Sequence, residues 1–274
     1  MVRQVKREAY DMGNTTEEEW LAPLRERQLI PEGTKAAFIV GSVARGWNNP
    51  RSDYDIYLVS DPLHIAADAS DAIPVPLDPP VVSVEVFYAQ DKRWEVKYWS
   101  DAQIDQLLAK VSWEAYERGT VAGNVLTEVE ELMLARLGHC VPLIGADWVE
   151  ERCERLGGTA FRSFVIARSL GEADTYVEDA LGQMEAGDLE SAVLSARQAF
   201  GHAVDALLEG TGEFGSHQPK WRANRFKAGV PGVLTFDEYW AIETMQTYDN
   251  TDPRPWIKNV LALCQDIAMR VDVS

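Results

Sequence analysis

Val40-Gly41-Ser42-Val43-Ala44-Arg45-Gly46-Trp47-Asn48-Asn49-Pro50-Arg51-Ser52-Asp53-Tyr54-Asp55-Ile56-Tyr57-Leu58 is the stretch on which the reading of the fold turns. The apolar run 36–40 that leads into it, Ala-Ala-Phe-Ile-Val, is short and uninterrupted, as a buried strand is. Gly41-Ser42 ends that strand, 43–46 has the makings of a helical turn, and Asn48-Asn49-Pro50 is a loop signal. A second strand follows over 54–59. Asp53 and Asp55 stand two residues apart, so a strand points both carboxylates to one face. Like charges that close are costly unless a cation lies between them. Hard oxygens on one edge suit Mg²⁺, which completes its shell with water and substrate phosphates. A glycine in the preceding turn lets the backbone approach a phosphate, and the Ser42 hydroxyl and N–H are donors to it.

Working outward, Pro74, Pro76, Pro79 and Pro80 mark a long connection. Beyond it lie two valine- and aromatic-rich runs, 81–88 and 94–99, separated by the hairpin signal 89–93. Residues 36–99 therefore supply four strands. Upstream, a helix is predicted from Glu17, capped by Thr15 or Thr16. After Asp101 the period becomes helical. Thr159 is placed to cap a helix through Phe161, Phe164, Val165 and Arg168, and a second carries Ala173, Val177, Ala180, Leu181 and Met184 on one stripe. Asp188 caps a third, whose apolar face runs from Leu189 to Leu208 and which Gly210 ends. Thr235 with Glu238 makes a capping box, and a last helix runs from about Pro255 to Val271. The fold class is α/β: a small mixed sheet domain over 1–105, its boundary falling somewhere in 105–155, followed by an α-helical bundle over 106–274.

Gly41-Ser42, some ten residues, then Ser52-Asp53-Tyr54-Asp55 on the next strand resembles the signature of the nucleotidyltransferase superfamily. The resemblance is strong over 36–99 and thin in residue detail after 100. It implies a catalytic domain in which Asp53 and Asp55 bind one or two Mg²⁺ ions, and Gly41, Ser42 and Ser52 take part in nucleotide binding. A third carboxylate on a later strand is also implied. Glu95, in Arg-Trp-Glu-Val-Lys, is similar in setting to the general base of aminoglycoside adenylyltransferases, and Glu85, in Val-Glu-Val-Phe, competes for the role. The run Leu207-Leu208-Glu209-Gly210-Thr211-Gly212 and the segment around His217 to Trp221 resemble the helical C-terminal domain of kanamycin-type nucleotidyltransferases, which makes Lys220 the candidate to reach over the triphosphate. The reaction so implied moves AMP from ATP to a hydroxyl of a small acceptor and releases pyrophosphate.

Composition narrows the acceptor. The chain has 274 residues, 46% hydrophobic and 26% charged, enough for a real core. Asp and Glu total 44 against 26 Lys and Arg, for a net charge of −18. Such a surface repels polyphosphates and attracts cations, so a nucleic-acid partner is not expected and a cationic, aminoglycoside-like acceptor is. Seven acids and no Lys or Arg fall between Gly171 and Ser195, either a solvated helix face or a wall that receives ammonium groups. Other natural-product intermediates, or protein or tRNA as in toxin–antitoxin systems, are alternative acceptors; a module that binds nucleotide without turning it over is the non-enzyme alternative. Three cysteines without a CxxC and four scattered histidines give no disulfide framework or zinc site. The stretch MVRQVKREAYDMG has charges where a leader needs apolar residues, and no run of about 18 apolar residues occurs, so a cytoplasmic protein is expected. Oligomeric state is not encoded in any feature of the chain.

Overall fold

A computed structural model describes residues 16–65, 71–119 and 125–273. These fall into two compact units, one running to Ala115 and taking in Leu126–Thr159, the other taking in 116–119, 125 and everything from Ala160 on. Strand 141–144 and its flanking helices thus belong with the sheet; the chain first leaves that unit after Ala115, inside the expected 105–155 window, and leaves it for the last time after Thr159, beyond that window.

The first unit is a six-stranded mixed sheet. In chain order it runs α1 (Glu17–Glu26), β1 (Thr34–Val40), α2 (Gly41–Ala44), β2 (Tyr54–Ser60), β3 (Asp71–Pro74), β4 (Val81–Ala89), β5 (Lys92–Ser100), α3 (Asp101–Lys110), α4 (Trp113–Glu117, which spans the division), α5 (Glu128–Leu137), β6 (Val141–Ile144) and α6 (Ala146–Gly157). Spatial order is β3-β4-β5-β2-β1-β6. Among the described residues only β2 and β5 are parallel; every other pair is antiparallel. The predicted strands are all present. The two that were not predicted, β3 and β6, are the edges, and each carries a proline, Pro74 and Pro142, which an edge strand tolerates because one side has no ladder to donate to. β4 turns into β5 through Gln90 and Asp91, both at positive φ (53° and 58°), as a two-residue hairpin of primed type requires.

Alternation decides which face is core. Ala37, Ile39, Ile56, Leu58, Trp94, Val96 and Tyr98 point to one side and bury Trp20, Leu21 and Leu24 of α1. That helix starts at Thr16, whose side chain and that of Glu19 cap each other's backbone N–H; Thr15, the other candidate, lies outside the described residues. Residues one step out of phase, Phe38, Tyr57 and Trp99, form the opposite face, where Trp148 of α6 stacks on Phe38 and Arg136 of α5 reaches Tyr57.

The second unit packs α7 (Phe161–Ala186) against α8 (Leu189–Gly210) and α11 (Arg254–Arg270), with a short 3₁₀ turn (Pro219–Trp221), α9 (Arg222–Gly229) and α10 (Phe236–Glu243) between. Ala196, Phe200, Ala203, Val204 and Leu207 meet Ile257, Val260 and Leu261 in its core. Asp188 and Thr235 cap as predicted. The two helices expected over 161–184 are one: Gly171 interrupts the sequence pattern, but as an exposed residue it continues the helix. Thr159 does not cap it; its hydroxyl donates to the Leu156 carbonyl (2.7 Å). No described helix is long and apolar enough to cross a membrane.

Candidate functional site

The site is built where β1 ends and β2 and β5 begin. Val40 pairs with Asp55, and Asp55 pairs in parallel register with Glu95, so these three share a face. Asp53 stands one residue before β2. A turn delivers it there: the Ser52 hydroxyl accepts from Asn49 N–H (2.9 Å) and the Asn49 side chain from Arg51 N–H (2.9 Å). Ser52 thus builds the turn. Lys92 ties the start of β5 to the same turn through the Pro50 carbonyl.

Gly41 lies over Asp55. Its φ is +71°, and a Cβ there would sit 2.7 Å from Asp55 Oδ2, so the position needs glycine both for its backbone and for the close approach. Ser42, next in the turn, is half-buried, and its side chain makes no hydrogen bond among the described residues. The Asp55 carboxylate likewise has no hydrogen bond or ion pair there. Burial pushes its pKa up; Arg136 pulls it down, while the charges of Glu95 and Asp53 add to the rise.

Glu95 and Asp53 are held differently. One Arg93 guanidinium bridges them, Nη1 to Asp53 Oδ2 and Nη2 to Glu95 Oε2, each 2.9 Å. Lys97 Nζ reaches the other Glu95 oxygen at 2.6 Å. Burial works against ionisation of Glu95, but the hydrogen bond and charge of Lys97, then those of Arg93, outweigh it and hold the carboxyl below its ordinary value. Arg136 donates to the Tyr57 hydroxyl (2.7 Å), and the charge of Asp55 helps keep it protonated against its own burial. These four residues, Arg93, Lys97, Arg136 and Tyr57, were missed from sequence. The alternation Arg93-x-Glu95-x-Lys97 was a readable signal that cations flank the carboxylate on its own face; nothing in the sequence brings Arg136 there.

Glu85 is on the other side. It pairs with Val96 while Val86 pairs with Glu95, so the pleat turns Glu85 away from the aspartates. Lys220 belongs to the helical unit, exposed on the 3₁₀ turn with its ammonium 5.7 Å from the Trp221 ring centre. The acidic run lies along α7 and the start of α8, where Glu172 and Asp179, with Arg168, Tyr176 and His202, line an open pocket of about 490 Å³.

Among the described residues no three His, Cys, Asp or Glu are grouped as a metal cage. A cage is not what Mg²⁺ commonly uses; one or two carboxylates completed by substrate phosphates suffice. Asp53 and Asp55 fit that role by chemistry, two carboxylates at the start of β2, of which that of Asp55 is partly buried and makes no hydrogen bond or ion pair among the described residues.

No family model and no curated protein matches the sequence. Among solved structures, the chain is similar to a nucleotidyltransferase-like protein from Exiguobacterium sibiricum, with a TM-score of 0.50 at 11% identity over 93% of this chain and 75% of that one. At that identity the likeness is one of fold: a mixed sheet with a helical C-terminal region, nucleotidyltransferase-like in architecture.

Proposed function

We propose that the protein is a Mg²⁺-dependent nucleotidyltransferase that moves AMP from ATP to a hydroxyl of a small cationic acceptor of the aminoglycoside kind. The observation that carries this reading is the register of β2 and β5, which sets Glu95 beside Asp55 and within one guanidinium of Asp53, under the turn where Gly41 closely approaches Asp55. Asp53 and Asp55 would hold Mg²⁺, which when bound supplies charge neutralisation to the triphosphate. Gly41 and Ser42 offer backbone and hydroxyl donors to the outer phosphates, and Ser52 keeps Asp53 in place. Glu95 takes the proton from the acceptor hydroxyl, whose oxygen forms the new bond to the α-phosphorus as the bond to pyrophosphate breaks. The −18 net charge and the acidic run 171–195 support a cationic acceptor.

The test is pyrophosphate release and product mass with Mg²⁺, ATP and a panel of hydroxylated amines. Asp53→Asn is expected to lose Mg²⁺-dependent ATP binding. Glu95→Gln keeps binding and loses turnover by roughly a hundredfold or more, the usual size of general-base catalysis. Glu85→Gln changes neither. Turnover lost in Glu85→Gln but kept in Glu95→Gln would overturn the assignment of the base, and Mg-ATP binding unchanged in Asp53→Asn would overturn the metal assignment.

A further inference from the structure

The charged face of β2 and β5 holds more than the proposed reaction needs. Three carboxylates, Asp53, Asp55 and Glu95, are interleaved with three cations, Arg93, Lys97 and Arg136. We propose that Arg93 is an exchangeable counter-ion, held by Asp53 and Glu95 until a polyphosphate draws it off, so that divalent cation and nucleotide bind together rather than one by one. This deepens the functional reading above and rests on it.

The geometry gives Arg93 three relevant properties. Its two Nη groups are spent on two carboxylates, Asp53 just before β2 and Glu95 on β5, so a divalent ion that bonds Asp53 Oδ2 competes with an N–H donor 2.9 Å away. Its side chain is one-third exposed, with room to swing toward water. Its planar fork matches the oxygens of a phosphate as well as those of a carboxylate, which gives a triphosphate the means to compete for it. Asp55, with no such partner, remains as a fixed anchor for the ion.

Charge favours the joint event. With three acids balanced by three bases, a bare divalent ion adds positive charge to a face already neutralised, and it must evict a guanidinium that has nowhere better to go. A metal–triphosphate complex is net negative and offers that guanidinium a new partner. The same exchange has a second effect at Glu95. Oε2 accepts from Arg93 and Oε1 from Lys97, so each oxygen already carries a charged donor. Departure of Arg93 to the nucleotide removes one donor from Asp53, to the metal's benefit, and one from Glu95, which leaves that carboxylate less neutralised and a stronger acceptor for the hydroxyl proton.

Mn²⁺ binding followed by electron paramagnetic resonance, with and without α,β-methylene ATP, tests this without turnover. In the parent, Mn²⁺ alone should bind weakly and tighten by about tenfold or more with the analogue, a normal coupling between sites. Arg93→Gln should bind Mn²⁺ alone about tenfold tighter than the parent and lose most of that coupling. Arg93→Lys, which keeps the charge but cannot bridge two carboxylates with a planar fork, should fall between. If Arg93→Gln and Arg93→Lys bind Mn²⁺ alone no better than the parent, while Asp53→Asn abolishes uptake in the presence of the analogue, the exchange is wrong and the metal assignment stands. If the parent takes up no Mn²⁺ even with the analogue, both fall together.

Discussion

Gly41 sets how far the turn after β1 stands from the Asp55 carboxylate. With φ at +71° and Asp55 Oδ2 2.7 Å from where a Cβ would be, Gly41→Ala meets both backbone strain and a side-chain collision. We expect it to destabilise the sheet unit by about 1–3 kcal/mol, the usual cost of a strained backbone position, and to weaken nucleotide binding by moving Asp55. Urea denaturation and ATP binding measure the two effects, and a variant equal to the parent in both would show that the contact is idle. The spacing of Asp53 and Asp55 predicts one face wherever the backbone is extended; Asp55 lies on β2, whereas Asp53 stands one residue before it and is held by the 49–52 turn and Arg93. Choosing between Glu85 and Glu95 needed more, because the pleat fixes only which residues of β4 agree with one another. Their phase relative to β2 is set by the β4–β5 turn at Gln90-Asp91 and by the parallel pairing of β5 with β2, neither of which the order of residues states.

Elements were legible when their apolar pattern was long and their ends chemically marked. α8, with an Asp188 cap, and α10, with a Thr235–Glu238 box, are of this kind. β3 and β6 were not, since four residues with a proline read as a connection, and only the neighbouring strands make them edges. Helix α7 runs through Gly171 where two helices are expected, and packing along α8 carries it through. The α7–α8 pair also buries charge that no pattern reveals. Asp205 on α8 accepts from Arg222 and Arg225 at 2.7 Å each, and Glu209, one turn on, is fully buried. Burial pushes Glu209 up to about 7, against the opposing charge of Arg225. In the unfolded chain its carboxyl ionises at its ordinary 4.5, so its contribution to stability is complete below that value and is lost as pH rises to about 7. The helical unit should therefore lose on the order of 3 kcal/mol across this window from this group, and Glu209→Gln should abolish that slope and be more stable than the parent at pH 8. Urea denaturation at pH 5 and pH 8 would show it; parallel pH profiles for parent and variant would refute it.

Over the whole molecule the largest fact is the net charge of −18. Self-repulsion of that size should make the melting temperature rise as salt goes from about 10 to about 150 mM, while the apparent affinity for a cationic acceptor falls over the same range. Opposite salt responses in stability and in acceptor binding are the expected signature, and an acceptor affinity indifferent to salt would remove charge as the basis of its recognition. The strand order has a consequence of a different kind. β1 with β2, and β3 with β4 and β5, are each closed by antiparallel neighbours, and the parallel edge between β2 and β5 is where those two sets of strands are sewn together. Both aspartates lie on one side of that seam, and Glu95 with its flanking cations on the other. A nascent chain that has made its first hairpin displays two carboxylates with neither base nor counter-ion, and a β5 docked one residue out of step would offer them Trp94 or Val96 instead. On the proposed reading the two aspartates gain their base only when β5 docks against β2, a join made by residues 92–100, and of the sheet's strands only β6 lies later in the chain.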